Sequence, residues 1–82
     1  MDPLETYLVN LLARSAKVAP EAIGPDADLF MDLGIDSLEG LKVLAQIEER
    51  YGVLIPDHEL MEMNTLGKIR SAIERAMASR EA

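Results

Sequence analysis

At residues 33–39 the chain reads LGIDSLE, and a run with helical periodicity begins inside that stretch. Asp36 stands directly before the run and Glu39 follows three residues later, a spacing typical of a reciprocal capping box with Asp36 as the N-cap. Ser37 is then the first residue of the helix, where free N–H groups and the helix dipole favour an anionic group such as a phosphate ester. Gly34 can adopt a positive φ just upstream, and Ile35 is expected to anchor the junction in the core so that Ser37 faces outward.

Length and composition exclude several classes of protein. A chain of 82 residues predicts one domain with a small core. Because it contains no cysteine, disulfides, thiolate metal sites and thiol catalysis are excluded. No apolar run approaches the roughly 20 residues that a membrane span requires, and the first residues lack the basic character of a signal peptide. We therefore expect a free-standing, cytoplasmic, monomeric protein that does not enter a membrane.

The net charge of −7 is unevenly distributed along the chain. Residues 21–39, called the acidic segment below, contain no Lys or Arg, and their acids are Glu21, Asp26, Asp28, Asp32, Asp36 and Glu39. Such a surface repels nucleic acid and anionic lipid and favours basic protein surfaces. Self-repulsion among these acids is expected to loosen the segment at low ionic strength.

The sequence before Ser37 predicts one helix and one long connection. The first helix is expected to begin with Asp2 as cap and Pro3 in the first turn, and to end near Ser15. Residues 19–36 then form a loop that is long for a compact domain. Its spaced apolar residues predict an ordered loop pinned to the core, with a short turn near residues 29–31.

The second helix is predicted from Ser37 to about Tyr51, with Gly52 as its C-terminal stop. On a helical wheel one arc is apolar and forms the buried face: Gly40, Val43, Leu44, Ile47 and Tyr51. Leu38 lies well away from this arc. An exposed leucine one residue from a candidate attachment point predicts a docking contact for a partner protein.

The remaining sequence predicts a short buried run at residues 53–55, a brief helix over about 56–61 and a last helix capped by Asn64 and Thr65. The five methionines are expected to fill the core and line a groove. The predicted fold is therefore all-α, a small bundle of three longer helices and one short helix, with a long ordered loop between the first two.

Other functions for these residues are less well supported. A hydrolytic role for Ser37 is not supported, because the residues around it do not form a G-x-S-x-G motif. The only histidine is His58, which we expect at the surface. Asp26, Asp28, Asp32 and Asp36 resemble a calcium loop, but Phe30 and Ser37 stand where oxygen ligands are required, so we expect no metal site. On the residues alone, the interpretation that Ser37 only begins a helix and has no further function also remains open.

Four segments carry a resemblance to a known family: residues 32–38 (DLGIDSL), 47–52 (IEERYG), 55–57 (IPD) and 64–67 (NTLG). Their order and spacing make the chain similar to acyl carrier proteins over nearly its whole length. The DSL motif alone is a weak indicator of this family. It becomes specific because the other three segments follow it in the expected order and at the expected spacing.

The resemblance implies that a phosphopantetheinyl transferase attaches 4′-phosphopantetheine from coenzyme A to Ser37, and that the thiol of this arm carries acyl groups as thioesters. The chain would catalyse nothing itself. It would shelter the acyl group between its helices and deliver it to acyl-transfer, ketosynthase-type or ligase enzymes with basic docking patches in fatty-acid or polyketide-type biosynthesis. The partner-binding residues that we expect are Asp36, Leu38, Glu39, Leu41, Lys42 and Glu48.

Some residues depart from the usual pattern of fatty-acid carriers. Lys42 and Arg50 interrupt an otherwise acidic second helix, and Gly40 weakens its first turns by up to about 1 kcal/mol relative to alanine. These departures favour a specialised pathway. Two alternatives remain open: an aminoacyl or peptidyl carrier, although Gly34 and Ile35 before Ser37 fit acyl carriers better, and an unmodified acidic helical module that binds basic partners.

Overall fold

The computed structural model describes residues 2–81, which fold without a β-strand. The three α-helices are α1 (Pro3–Ala16), α2 (Ser37–Tyr51) and α3 (Leu66–Glu81), and two 3-10 helices span Pro20–Ala22 and Asp57–Glu62. The predicted all-α bundle of three longer helices and one short helix is confirmed. The 3-10 helix at Pro20–Ala22 was not predicted. Within residues 2–81 no helix combines the length and the apolar character needed to cross a bilayer.

Helix α1 begins and ends at strong local signals. The Asp2 carboxylate accepts a hydrogen bond of 2.8 Å from the Glu5 N–H, and Pro3 occupies the first turn, as predicted. The helix ends at Ala16, one residue after the predicted end, because Lys17 adopts a left-handed conformation with φ of 60°. Asp2 also pairs with Arg70 of α3, and this hydrogen bond, together with the one from the Glu5 N–H, lowers the pKa of the Asp2 carboxyl to about 2.

The core lies where the three α-helices meet. The largest side chains that are fully buried come from all three: Leu8, Leu11, Leu12, Leu44, Ile47 and Ile73. Each such side chain contributes about 1.5–3 kcal/mol by leaving water. On α2 the predicted buried face is confirmed, with Tyr51 half-buried at its edge. The bundle therefore fixes the rotation of α2 and determines which of its residues face solvent.

The segment between α2 and the second 3-10 helix corrects one prediction. Val53 and Ile55 are buried, but the Leu54 side chain is 87% exposed, so the prediction of a buried run was wrong at Leu54. The segment is not helical, and successive side chains of an extended backbone point in opposite directions. The Ile55 N–H donates a 2.9 Å hydrogen bond to Glu48 Oε2, which ties this segment to the last turns of α2.

The methionines are less uniform than expected. Met63 is buried and Met77 packs against the core, which fits the prediction. Met31 and Met61 are 85% and 64% exposed, so the prediction was wrong for these two. Met31 lies in a loop turn and Met61 near the end of a 3-10 helix, where the neighbouring Phe30 and Leu60 face inward instead. Met1 lies outside the described residues.

Replacement of Ile55 by alanine should lower the free energy of unfolding by about 2–5 kcal/mol, because it leaves a cavity in the core. Replacement of the adjacent Leu54 by alanine should change the free energy of unfolding by no more than about 0.5 kcal/mol, since the Leu54 side chain contacts mostly water. Urea unfolding followed by circular dichroism measures both. Equal losses in the two variants would contradict the burial described here.

Candidate functional site

Ser37 is the first residue of α2 and is exposed. The Asp36 carboxylate accepts a 2.8 Å hydrogen bond from the Glu39 N–H, and the Asp36 carbonyl accepts one of 2.8 Å from the Gly40 N–H. Gly34 has a φ of 72°, and Ile35 is buried immediately before the cap. These features of the junction were predicted. They hold the Ser37 backbone in place while leaving its side chain open to solvent.

Glu39 differs from the prediction in one respect. In a reciprocal capping box its carboxylate would bond back to the Asp36 N–H. Instead Glu39 Oε2 accepts a 3.0 Å hydrogen bond from the Ser15 hydroxyl, and Oε1 lies 3.6 Å from the Lys42 ammonium. Within residues 2–81 only the forward half of the box is present. Because Ser15 belongs to α1, the Glu39 carboxylate connects the start of α2 to the end of α1.

The loop before Ser37 is ordered around Asp28. Its Oδ1 accepts 2.9 Å hydrogen bonds from the N–H groups of Phe30 and Met31, which forms the predicted turn. Its Oδ2 accepts a 2.7 Å hydrogen bond from the Asn64 side-chain amide, and the Leu29 N–H donates a 2.8 Å bond to the Asn64 carbonyl. The bonds from Met31 and Asn64 hold the pKa of the Asp28 carboxyl below its usual value. We call the two bonds to Asn64 the loop clamp.

Asn64 therefore has a different role from the helix cap that was expected. Thr65 serves as the cap, since its hydroxyl accepts a 3.3 Å hydrogen bond from the Lys68 N–H. The Asn64 side chain reaches across to Asp28, and its Oδ1 is buried without a hydrogen-bond partner. No local pattern signals this contact, because the two residues are 36 positions apart.

Several acids of the acidic segment accept hydrogen bonds within the fold. Asp28, Asp36 and Glu39 do so as described above, and Asp32 Oδ2 accepts a 2.9 Å bond from the Asp28 N–H. In the part of the chain that the structure describes, no three His, Cys, Asp or Glu side chains converge so as to hold a metal ion. Asp28 and Asp32 thus belong to the loop turn, and Asp36 and Glu39 belong to the start of α2.

A cavity lies against the inner face of α2. Its lining is apolar and includes Phe30, Gly40, Val43, Leu44, Leu60 and Met63. The free volume is about 20 Å³, enough for about one water molecule. Gly40 is the first residue of α2 in this lining and follows Ser37 by three positions, so the two lie on neighbouring turns of the same side of the helix.

The outer face of α2 contains most of the residues expected to bind partners. Leu38 is 65% exposed, and Leu41 and Lys42 lie beside it at helical spacing, both exposed. Asp36 is exposed at the cap, next to this face. Glu48 is half-buried, and its Oε2 accepts the bond from the Ile55 N–H.

Arg50 occupies a different position from Lys42. Its guanidinium carbon lies 4.6 Å from the centre of the Tyr7 ring and 6.0 Å from that of Tyr51, and the two rings pack edge to face at 5.8 Å. Such a cation–π contact stabilises the association of α1 with α2. The positive charge of Arg50 is therefore engaged in the bundle, and Lys42 is the basic residue next to the exposed leucines.

Comparison with known proteins gives a family match and several relatives. A family model described as phosphopantetheine attachment site matches residues 6–73. An acyl carrier protein of Renibacterium salmoninarum is 35% identical over 71 residues, covering 87% of this chain and 88% of the relative. One from Streptomyces coelicolor is 36% identical over 73 residues, with coverages of 88% and 79%. A meromycolate extension acyl carrier protein of Mycolicibacterium aurum is 31% identical over 68 residues, with coverages of 83% and 70%.

Replacement of Asp28 by alanine should release the turn, so that amide hydrogen exchange at Phe30 and Met31 accelerates while exchange at Val43 in α2 stays slow. In the wild type, the protection factors of the same two amides, which correct for the slower intrinsic exchange at low pH, should fall in acid. The folded-state pKa lies below the ordinary value of 3.8, so the stabilisation is complete above 3.8 and is lost as the pH falls through the lower folded value.

The matched control is Asp26→Ala, which removes an exposed carboxylate from the same loop. The measurement is hydrogen exchange read by NMR. If Asp26→Ala accelerates exchange at Phe30 as much as Asp28→Ala does, the effect comes from net charge and not from the hydrogen bonds of Asp28.

Proposed function

This chain belongs to the phosphopantetheine attachment family, together with acyl carrier proteins, and from that premise we propose that Ser37 carries a 4′-phosphopantetheine arm. The observation that carries the proposal is the exposed Ser37 hydroxyl at the capped start of α2, three residues before the first cavity-lining residue of that helix. The helix start favours the phosphate, and the nearby apolar cavity offers a place for the acyl group.

The arm supplies a terminal thiol that carries an acyl group as a thioester. This chain has no cysteine, so it provides no competing thiol of its own. Its residues position the arm: Asp36 fixes the helix start, Ile35 anchors the junction and the loop clamp holds the preceding turn. A phosphopantetheinyl transferase would join the Ser37 hydroxyl oxygen to the phosphorus of the phosphopantetheinyl group of coenzyme A. The pyrophosphate bond of coenzyme A breaks, adenosine 3′,5′-bisphosphate leaves, and the hydroxyl proton is lost to solvent or to a base of the transferase.

We propose that the protein is a carrier and leaves the chemistry to its partners. Its one histidine, His58, is exposed in the second 3-10 helix, and α2 places no histidine beside Ser37 to act as a general base. The acyl group is sheltered in the cavity along α2. Because the volume is about 20 Å³, the cavity has to open before more than a small group can enter.

Partner enzymes are proposed to dock on the face formed by Asp36, Leu38, Leu41 and Lys42. Leu38 offers an exposed apolar side chain next to the arm, and a few buried side chains contribute most of the binding energy of an interface. The partners in this proposal are the transferase and acyl-transfer, ketosynthase-type or ligase enzymes of fatty-acid or polyketide-type biosynthesis. One relative is named a meromycolate extension acyl carrier protein, and this name supports the lipid-biosynthesis part of the proposal.

Incubation with coenzyme A and a permissive phosphopantetheinyl transferase should add the mass of one phosphopantetheine arm to the wild type. The variant Ser37→Ala should gain nothing, whereas the control Ser71→Ala, which removes an exposed serine of α3, should load like the wild type. Intact-mass spectrometry measures all three. A wild type that never gains the arm would favour an unmodified binding module, and an amino acid on the natively purified arm would indicate an aminoacyl carrier.

Replacement of Leu38 by alanine should reduce kcat/KM of the transferase about tenfold, equivalent to about 1.4 kcal/mol, without changing the unfolding midpoint. The matched control is Leu54→Ala, an exposed leucine beyond the C-terminal end of α2. Steady-state loading kinetics give both values. Equal losses for the two leucines would contradict a specific docking role for Leu38.

A further inference from the structure

Gly40 is a buried glycine inside α2, a position where glycine disfavours the helix relative to alanine. A Cβ built on Gly40 would lie 3.3 Å from Leu60 Cδ2, 3.4 Å from Leu60 Cδ1 and 3.5 Å from Phe30 Cε1. Two side chains from distant parts of the sequence thus lie directly against the α2 backbone. The absent side chain leaves a narrow gap in the surface of α2, and the Leu60 and Phe30 side chains border it.

These two side chains lie at the outer end of the cavity. Leu60 is 9% exposed and Phe30 is half-buried, whereas Leu12 and Ile47 in the same lining are almost wholly buried. The lining therefore becomes more exposed toward Gly40, Leu60 and Phe30. We call these three residues the cavity mouth.

The mouth also faces the attachment point. Ser37 and Gly40 are three positions apart on α2, which places them about 5–6 Å from each other on the helix surface. A group carried by an arm on Ser37 can return to the protein along this side of α2. The first gap that it meets is the one above the Gly40 backbone.

We propose that Gly40 determines which acyl groups enter the cavity, because the chain passes over the Gly40 backbone between Phe30 and Leu60. This inference rests on the proposed attachment at Ser37. Entry of a long acyl group requires the Leu60 and Phe30 side chains to move aside, since the free volume of the cavity is only about 20 Å³. The space left by the missing Cβ then accommodates an unbranched methylene chain, and a methyl group at position 40 takes that space.

The test compares acyl groups of increasing length on the intact protein. Wild type, Gly40→Ala and Gly67→Ala are loaded by a permissive transferase from acetyl-, hexanoyl- and decanoyl-coenzyme A, and intact mass confirms each product. Gly67 is the matched control, because it is an exposed glycine in the first turn of α3 and a Cβ there meets nothing within 4 Å. Thermal unfolding then gives Tm for each loaded form.

In the wild type, Tm should rise from the acetyl to the decanoyl form, since a group that binds only the folded state stabilises it. Gly67→Ala should keep this rise and Gly40→Ala should lose it. The double variant Gly40→Ala with Leu60→Ala should regain it, because the atoms that the new methyl group meets have been removed. Recovery of this kind identifies a steric effect and not a general loss of stability.

If Gly40→Ala does not fold, Leu60→Ala alone carries the test. A wider mouth should let a branched 3-methylbutanoyl group raise Tm more than it does in the wild type.

An unchanged acyl preference in Leu60→Ala, or a length-dependent rise retained in Gly40→Ala, would overturn the inference. A wild type whose Tm ignores chain length would do so as well. Each of these results leaves attachment at Ser37 intact, whereas failure to gain mass would refute the attachment itself.

Discussion

The hydrogen bonds between the loop and Asn64 are the contacts on which the remaining geometry depends. The Leu29 N–H and the Asp28 carboxylate both bond to Asn64, directly before α3, while Ile35 bonds back to the Leu29 carbonyl. A connection of this length has a large conformational entropy, which these bonds and the buried Ile23, Leu29 and Ile35 must offset. Together, these hydrogen bonds and buried side chains hold the residues before Asp36 in one conformation. The start of α2 and the Phe30 side of the cavity are fixed by the same few bonds.

The acidic segment illustrates how charge is used in a small fold. Its net charge indicates self-repulsion when the residues are counted along the sequence. In three dimensions Asp28, Asp32, Asp36 and Glu39 accept hydrogen bonds from N–H or hydroxyl groups. A hydrogen bond to the ionised form stabilises it, and the lowered pKa of Asp28 is an example. The negative field of the acidic segment is therefore produced in part by groups that also hold the loop and the helix start together.

The parts of the structure that the sequence predicts well are those encoded by neighbouring residues. The bounds of α2 follow from Asp36 before it and Gly52, with a φ of 64°, after it. The outward position of Leu38 follows from helical periodicity alone. The exposure of Leu54 and Met31 does not, because outside a helix burial depends on which way each residue faces a core assembled from distant segments. The partners of Glu39 and Asp28 were missed for the same reason, since Ser15 and Asn64 lie 24 and 36 positions away.

In the proposed carrier role, one core has to serve both the stability of the fold and the binding of an acyl group. Val43, Leu44 and Ile47 belong to the core cluster and also line the cavity, so every methylene group that enters displaces contacts that stabilise the empty fold. Burial of an acyl chain stabilises the folded protein by about 0.8 kcal/mol for each methylene group. On the proposed entry route, a short group therefore contributes too little free energy to separate Leu60 from Gly40, whereas a longer group offsets the cost of opening. On this proposal, the length at which an acyl group becomes sheltered depends on how much free energy is needed to move Leu60 and Phe30 away from Gly40.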